Sequence, residues 1–354
     1  MRQPLSTVSP LIRLTPQGLY CAAGDFFIDP SMAVDRAVLT HAHSDHAVPG
    51  SRAYLVSAAG EEVYRIRLGN DAQLETLPYG EQRTINGVTV SLHPAGHILG
   101  SAQVRIEYRG EVWVVSGDYK LTKDPTCDSF EAVRCHTFIT EATFALPIYR
   151  WPDETEVMSE IKGWWRRNRE RNRASLLTAY ALGKAQRILA GLGADSNAAL
   201  EPIFTHGSVE RLNEAYRRSG VQLPVTRYVG DVKNKSEFSG ALIIAPPSAE
   251  KSMWTRRFGV HSAAFASGWM MVRGARRRRA LDSGFVLSDH ADWPGLLQAI
   301  EATGADRILV THGYINELVR WLREKGRNAW ALRIAHFGDE AEAEEPAESL
   351  MSEE

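Results

Sequence analysis

THAHSDHAVPG, Thr40 to Gly50, places His41, His43, Asp45 and His46 directly behind the apolar run Ala37-Val38-Leu39. A buried strand ending there carries these side chains onto a rigid edge. Side chains two apart on an extended segment point the same way, so His41 and His43 can converge on one ion. A helix starting just after would swing Asp45 and His46 from its first turn toward a second position. Imidazole nitrogen and carboxylate oxygen together suit zinc, manganese or iron. The competing reading is a polar loop whose histidines only hydrogen-bond. A single histidine usually has that role, but the HxHxDH spacing argues for metal.

Outward from this loop, Leu11 to Asp29 reads as short strands, with a glycine turn inside GLYCAAGDFFIDP. Val88 to Leu92 reads as a strand leading into HPAGHILGS, and His93 in that region is assigned a structural role. Gln103 to Tyr108 and Glu111 to Ser116 pair as a hairpin across Arg109-Gly110 and deliver Gly117 and Asp118. Thr137 to Thr140 delivers Glu141. The pattern changes near Arg150. Glu154 to Arg173 is a predicted helix opened by Pro152-Asp153. Strand and helix then alternate: Ser175 to Thr178, Lys184 to Leu192, Pro202 to Thr205, Val209 to Arg218, then strands at Ala241 to Ala245 and Ala263 to Ser267. Alternation of this kind predicts parallel strands. Phe285 to Ser288 leads to Asp289-His290, Pro294 to Ala302 is a helix, Arg307 to Thr311 a strand ending in His312, and Ile315 to Glu324 a last helix. The expected organisation is one domain from 1–149 and 282–338, interrupted by an inserted domain at 150–281, with an acidic disordered tail at 339–354.

The 354 residues are 44% hydrophobic and 24% charged, the balance of a soluble globular enzyme. Lys plus Arg is 41 against 43 for Asp plus Glu, so net charge points to no partner. The distribution says more: the acid of the tail leaves the rest net basic. Arginines cluster at Arg166, Arg167, Arg169, Arg171 and Arg173, and again at Arg273 and Arg276 to Arg279. Such runs can track a phosphate backbone or merely solvate a helix face. Three cysteines without CxxC spacing, no apolar leader and no membrane-length run fit a soluble cytoplasmic protein.

His97, Asp118 and His312 each follow a predicted strand, where α/β sheets place their sites. Two neighbouring metals need roughly seven or eight ligands, preferably with a shared carboxylate. His41, His43 and His97 can hold one ion, Asp45, His46 and His312 the other, with Asp118 bridging. Ions roughly 3.5–4 Å apart can hold a hydroxide nucleophile and neutralise an in-line displacement at phosphorus, and a phosphodiester most needs this. His290 and Glu141 remain as catalytic partners, the carboxylate holding the imidazole tautomer. A capping role in SDHAD is the alternative for His290. TAYALGKAQRIL, Thr178 to Leu189, offers Lys184 at a helix start to a backbone phosphate, although strand–turn–helix packing alone would also select Gly183. FASGWM offers Ser267 and Gly268 as a second backbone-approach loop. Trp164, Trp165, Trp269 and Trp293 can stack on bases, with core packing the simpler role for most. FTHGS around His206 has the look of a ligand loop, with lining of a substrate channel the minority reading and core-metal binding disfavoured, and His136, His261 and His336 are read as ordinary.

HAHSDH, PAGHILGSAQ, SGDY and VTHG, in that order, resemble the metallo-β-lactamase fold. The stretches TEATF, TAYALGKAQ, ASG and SDHAD between SGDY and VTHG resemble its β-CASP nuclease branch. The resemblance runs from about Gly18 to Gly326. It implies an α/β fold, an αββα sandwich with an inserted β-CASP cap domain and the active site in the cleft between them. It implies His41, His43, Asp45, His46, His97 and Asp118 as ligands, with Glu141, His290 and His312 at the three β-CASP motifs and His312 completing the second metal. Within that branch the wording resembles bacterial ligase-associated DNA exonucleases. Those are implied to work in DNA repair beside an ATP-dependent DNA ligase and a DEXH-box helicase. A histidine at the last motif is, however, typical of RNA-processing members.

The first expectation is a DNA exonuclease with two divalent ions, zinc or manganese, acting on single-stranded DNA. An RNA-processing nuclease with the same machinery is the second. A small-molecule thioester or lactam hydrolase is a third, disfavoured because a cap beside the cleft suits gripping a polymer. A catalytically dead nucleic-acid scaffold is a fourth, disfavoured by the full donor set.

Overall fold

Short β-strands dominate the first 140 residues because their apolar residues alternate between two buried faces. The computed structural model describes residues 10–193, 202–250, 252–272 and 282–333. The second arginine cluster, His336 and the acidic tail fall outside those residues. The first sheet has the strands β1 (Ile12–Thr15), β2 (Gly18–Cys21), β3 (Phe26–Ile28), β4 (Arg36–Val38), β5 (Ala53–Ser57) and β6 (Leu74–Leu77). They pair in sequence order, antiparallel from β1 to β3 and parallel from β3 to β6. A second sheet takes β7 (Gln82–Ile85), β8 (Val88–Pro94), β9 (Ala102–Tyr108), β10 (Glu111–Val115) and β11 (Thr137–Glu141).

The chain then leaves to build a third, wholly parallel sheet. Its strands are β12 (Ala174–Thr178), β13 (Ile203–Thr205), β14 (Arg227–Tyr228), β15 (Leu242–Ala245), β16 (His261–Ala266) and β17 (Ser283–Phe285). Their order is β14-β13-β15-β12-β16-β17. On returning, β18 (Arg307–Thr311) and β19 (Ala329–Ala331) add to the second sheet in parallel beside β11.

Residues of the two first sheets face one another in a common core: Val38 and Leu55 on one side, Val90, Leu92, Val104 and Trp113 on the other. The alternate residues of the same strands face outward. Val114, Phe138 and Ile308 pack under the helices Trp293–Thr303 and Ile315–Glu324 through Leu296, Ile300, Leu318 and Leu322. On the opposite outer face Ala37, Tyr54 and Val56 meet Val63 and Tyr64 of the helix Glu61–Leu68. That cluster continues into Ile161, Trp164, Leu177 and Leu189 of the third-sheet region. Strands covered on both faces read as continuous apolar runs, which is why RILVT and LIIA stand out in the sequence.

The structure differs from the sequence expectations in four places. No helix follows His43. Instead the His46 and Ala47 N–H groups both donate to the His43 carbonyl, a single turn that still aims Asp45 and His46 inward. Glu154–Glu170 is the helix, capped by Asp153, and it ends before Arg173 because Asn172 takes a left-handed φ of 54°. The third sheet extends beyond residue 281, since β17 pairs with β16. Ser283–Phe285 is the strand there, and 286–288 is not. Among the described residues no helix is long and apolar enough to cross a membrane.

Candidate metal centre and active site

The C-terminal ends of β4, β8, β10, β11 and β18 carry the polar residues of one site; β4, β10, β11 and β18 each have a parallel neighbour, whereas β8 is antiparallel to both of its own. Asp29, just past β3, anchors the metal loop at both ends. Its carboxylate accepts from Thr40 N at 2.8 Å, from Thr40 Oγ1 at 2.5 Å and from His46 Nδ1 at 2.7 Å. Sequence reading passed over Asp29. The available signal was FFIDP ending the strand beside β4. At the far end of the site Thr311 leads into His312, whose φ of 58° is left-handed. Gly313 follows at φ 65°, where a Cβ would lie 2.5 Å from the Ala142 carbonyl oxygen. The two residues turn the chain sharply against the end of β11.

The outward bonds of the imidazoles fix what faces inward. The Leu182 carbonyl accepts from His43 Nε2 at 3.1 Å, and the Asp289 carbonyl accepts from His97 Nδ1 at 2.9 Å. The Thr40 hydroxyl proton goes to Asp29, so Thr40 Oγ1 accepts from His41 Nδ1 at 3.1 Å. The lone pairs therefore sit on His41 Nε2, His43 Nδ1 and His97 Nε2. His43 Nδ1 lies 3.1 Å from His41 Nε2 and 3.2 Å from His97 Nε2. Lone pairs this close repel unless a cation lies among them, and the edge of a tetrahedron with zinc–nitrogen bonds is about 3.3 Å. Asp118 Oδ2 closes the group at 3.5 Å from His41 Nε2 and 3.9 Å from His97 Nε2. His41, His43, His97 and Asp118 form a cluster able to hold a divalent ion, all four donor atoms lying within 4.8 Å of one another.

A second set adjoins it. Asp45 Oδ2 and Asp118 Oδ2 each lie 3.6 Å from His46 Nε2, and the His312 ring stacks on His46 at 5.4 Å between centroids. The electrostatics of the two sets differ. Burial, then the neighbouring imidazoles, keeps His41 and His97 well below the usual histidine range, and burial takes His43 down to about 4. His312 is also lowered to about 4, by burial and then by His46. Burial pulls His46 down as well, but Asp45, Asp118 and Asp29 together hold it up at about 10. Burial raises Asp118 to about 7. Without an ion, the neighbouring carboxylates thus keep positive charge on His46.

Loading this protein with a divalent ion at pH 7 will therefore release roughly one to two protons per centre, from His46 and in part from Asp118. Affinity will fall as pH drops through 7, where Asp118 protonates, and rise between pH 7 and 10 as His46 yields its proton. Calorimetry in two buffers of different ionisation enthalpy measures the proton count. Zero release would contradict this electrostatic reading.

Glu141 and His290 form a separate pair. Glu141 Oε1 accepts from Tyr119 N at 2.8 Å and Oε2 lies 2.9 Å from His290 Nδ1, so both carboxylate oxygens are engaged. Asp118, Glu141 and His290 also come within ligand range of one another. The helix after SDHAD is capped by Asp292, which accepts from Gly295 N at 2.9 Å, so His290 has no capping role.

The three expected substrate-binding residues lie elsewhere than at an open phosphate seat. Lys184 is buried, its ammonium 3.6 Å from Asp289 Oδ2 and 5.1 Å from the centre of the Tyr180 ring. Gly183 is selected by packing, since at φ 93° its Cβ would stand 2.3 Å from Ile98 Cγ2. Ser267 is buried and accepts from Trp269 N at 3.3 Å. At Gly268 a Cβ would come within 2.6 Å of Phe144 Cζ. His206 caps the helix Gly207–Arg218, accepting from Ser208 N, and His93 lies beside Ser91 and Glu131. The first arginine cluster is exposed at the end of the helix Glu154–Glu170 and on the turn after it.

Lys184 belongs to a buried network that sequence spacing did not reveal. Arg187 binds Glu154 through two bonds of 2.7 and 2.5 Å, the Ser288 carbonyl, and Asp289 and Asp124 at 3.3 Å each. Lys120 meets Asp124 at 3.4 Å. Since the Asp289 carbonyl also orients His97, the network ties the third-sheet helix Lys184–Gly193 to the metal cluster. Arg187→Met leaves three carboxylates without their shared partner, at an expected cost of about 3–5 kcal/mol read from denaturant unfolding. A change below about 1 kcal/mol would contradict the role given to the network.

No protein-family model matches the chain. It is 32% identical over 318 residues to a probable DNA ligase of Opitutus terrae, across 89% of this chain and 30% of that protein. It is 22% identical over 303 residues to the DNA cross-link repair protein SNM1 of Arabidopsis thaliana, across 77% and 60%. With the endoribonuclease ysh-1 of Neurospora crassa it shares 27% over 209 residues, across 48% and 24%. The chain thus spans less than two thirds of each of these relatives. Among solved structures, a protein of unknown function from Enterococcus faecalis V583 has a similar fold. Its TM-score is 0.51 at 12% identity, over 78% of this chain and 74% of that one.

Proposed function

The chain belongs to the β-CASP nuclease branch of the metallo-β-lactamase fold, and from that premise we propose that it is a metal-dependent DNA exonuclease acting in DNA repair. The observation that carries the proposal is the convergence of the His41, His43 and His97 lone pairs on Asp118, with Asp45, His46 and His312 alongside. In this reading the first two sheets form the metallo-β-lactamase domain, and the third-sheet region, which β17 carries on to Phe285, the inserted cap that helps hold a polymer.

Two divalent ions, zinc or manganese, would be held by His41, His43 and His97, by Asp45, His46 and His312, and by Asp118 between the sets. When bound they supply Lewis acidity to a water and to the phosphoryl oxygens. The chain's own residues do the rest. His290, set by Glu141, stands beside the cluster to donate a proton to the leaving oxygen or to hold phosphate charge. Burial excludes bulk water and strengthens each of these interactions. Lys184 acts through Asp289, Ser267 holds the turn into Trp269, and Gly268 leaves room for Phe144.

DNA is favoured over RNA because the match to a protein named as a DNA ligase spans most of the chain. The endoribonuclease matches span half of it or less. Association with an ATP-dependent ligase and a DEXH-box helicase is part of the proposal. RNA is the second reading, favoured by those endoribonuclease relatives. Competition between matched single-stranded DNA and RNA, each labelled at one end, separates the two. Stepwise shortening of the DNA supports the first and reveals polarity, and preferential RNA cutting overturns it.

A further inference from the structure

We propose that Trp269 and Tyr314 form a nucleobase-stacking subsite beside the catalytic centre, taking the base of a nucleotide next to the scissile phosphate. The inference rests on the nucleic-acid reading above and adds the part of the substrate that the metal cluster does not touch.

Trp164, Trp165 and Trp293 are buried, and the first two donate their indole N–H groups to Ser262 Oγ and the Gly240 carbonyl. Trp269 differs in being only half-buried. Its indole makes no hydrogen bond among the described residues. It stands two ring contacts from His290: Phe144 is 5.9 Å from the His290 ring and 4.8 Å from Trp269. Tyr314, also half-buried, lies two residues after His312, with its ring 6.4 Å from Trp269. The pair therefore joins the third-sheet region to the loop after β18, one residue from each.

Their support is rigid. Tyr149, fully buried, packs 5.9 Å from Trp269 and 6.0 Å from Tyr314. The absence of a side chain at Gly268 lets Phe144 close from behind. Partly exposed aromatic rings held in place bind bases at little entropic cost, and any base offers a π-face. Since Trp269 reaches His290 through Phe144 and Tyr314 follows His312 by two residues, a base flanking a phosphate at the cluster would lie beside this pair.

The test compares binding of oligothymidylate with binding of an abasic deoxyribose-phosphate strand of equal length. The full chain is kept in chelator so that neither strand is cut. The wild type is expected to prefer oligothymidylate by roughly tenfold or more. Trp269→Leu should bring that preference close to unity, Trp269→Phe should keep most of it, and Tyr314→Leu should reduce it. Thermal melting of each variant confirms that it is folded. Equal binding of both strands by the wild type, or full preference in folded Trp269→Leu, overturns the subsite while leaving the nuclease reading intact. Binding of neither strand also overturns the subsite, while the nuclease reading is judged by cleavage once metal is returned.

Discussion

Asp118→Ala will lower phosphodiester hydrolysis by roughly ten-thousand-fold. The carboxylate follows β10 through Ser116 and Gly117, and Oδ2 approaches both donor sets, His41 and His97 on one side and His46 on the other. Its removal unlinks the sets and leaves His46 with Asp45 and Asp29 as its nearby carboxylates. Several kcal/mol of charge stabilisation at phosphorus depend on that arrangement. Metal content, measured on the purified variant, will fall with activity. Full metal content together with full activity would contradict the bridging role.

His290→Ala will lower kcat by roughly a hundred- to ten-thousand-fold, the range for a lost general acid, with little change in KM. Metal content will stay at the wild-type level. Glu141→Gln will produce a smaller loss, since the imidazole remains and only its orientation by Oε2 is weakened. The alternative assignment makes His290 a ligand, because it comes within ligand range of Asp118 and Glu141. In that case His290→Ala loses metal and activity together, and metal analysis distinguishes the two roles.

The site was legible wherever its signal was local. HAHSDH behind an apolar run, and His97, Asp118, Glu141 and His312 at strand ends, are patterns that short apolar runs and alternating strands make visible. The missing parts share one physical cause: their partners are distant in sequence. Arg187 meets Ser288 and Asp289 about a hundred residues later, and His97 is oriented by a carbonyl 192 residues away. No spacing rule finds such pairs, so Lys184 was expected to meet a phosphate although its neighbour is Asp289. Asp29 was overlooked because one aspartate after a strand is common, and its role arises only once β3 and β4 pair. The helix expected after His43 gives way to a single turn in a loop whose Thr40 and His46 are both bonded to Asp29, just past the neighbouring strand. β17 was read with the strands around the metal site, but sheet membership depends on which edge lies open, and β16 offered one.

The most direct test of the two-metal phosphodiesterase reading is cleavage of end-labelled single-stranded DNA by chelator-stripped protein as manganese or zinc is returned, alongside Asp118→Ala. The expected result is no cutting in chelator and progressive shortening that saturates near two ions per chain, with Asp118→Ala inactive throughout. Equal cutting in chelator, or intact DNA and RNA after full metal loading of the wild type, would contradict it.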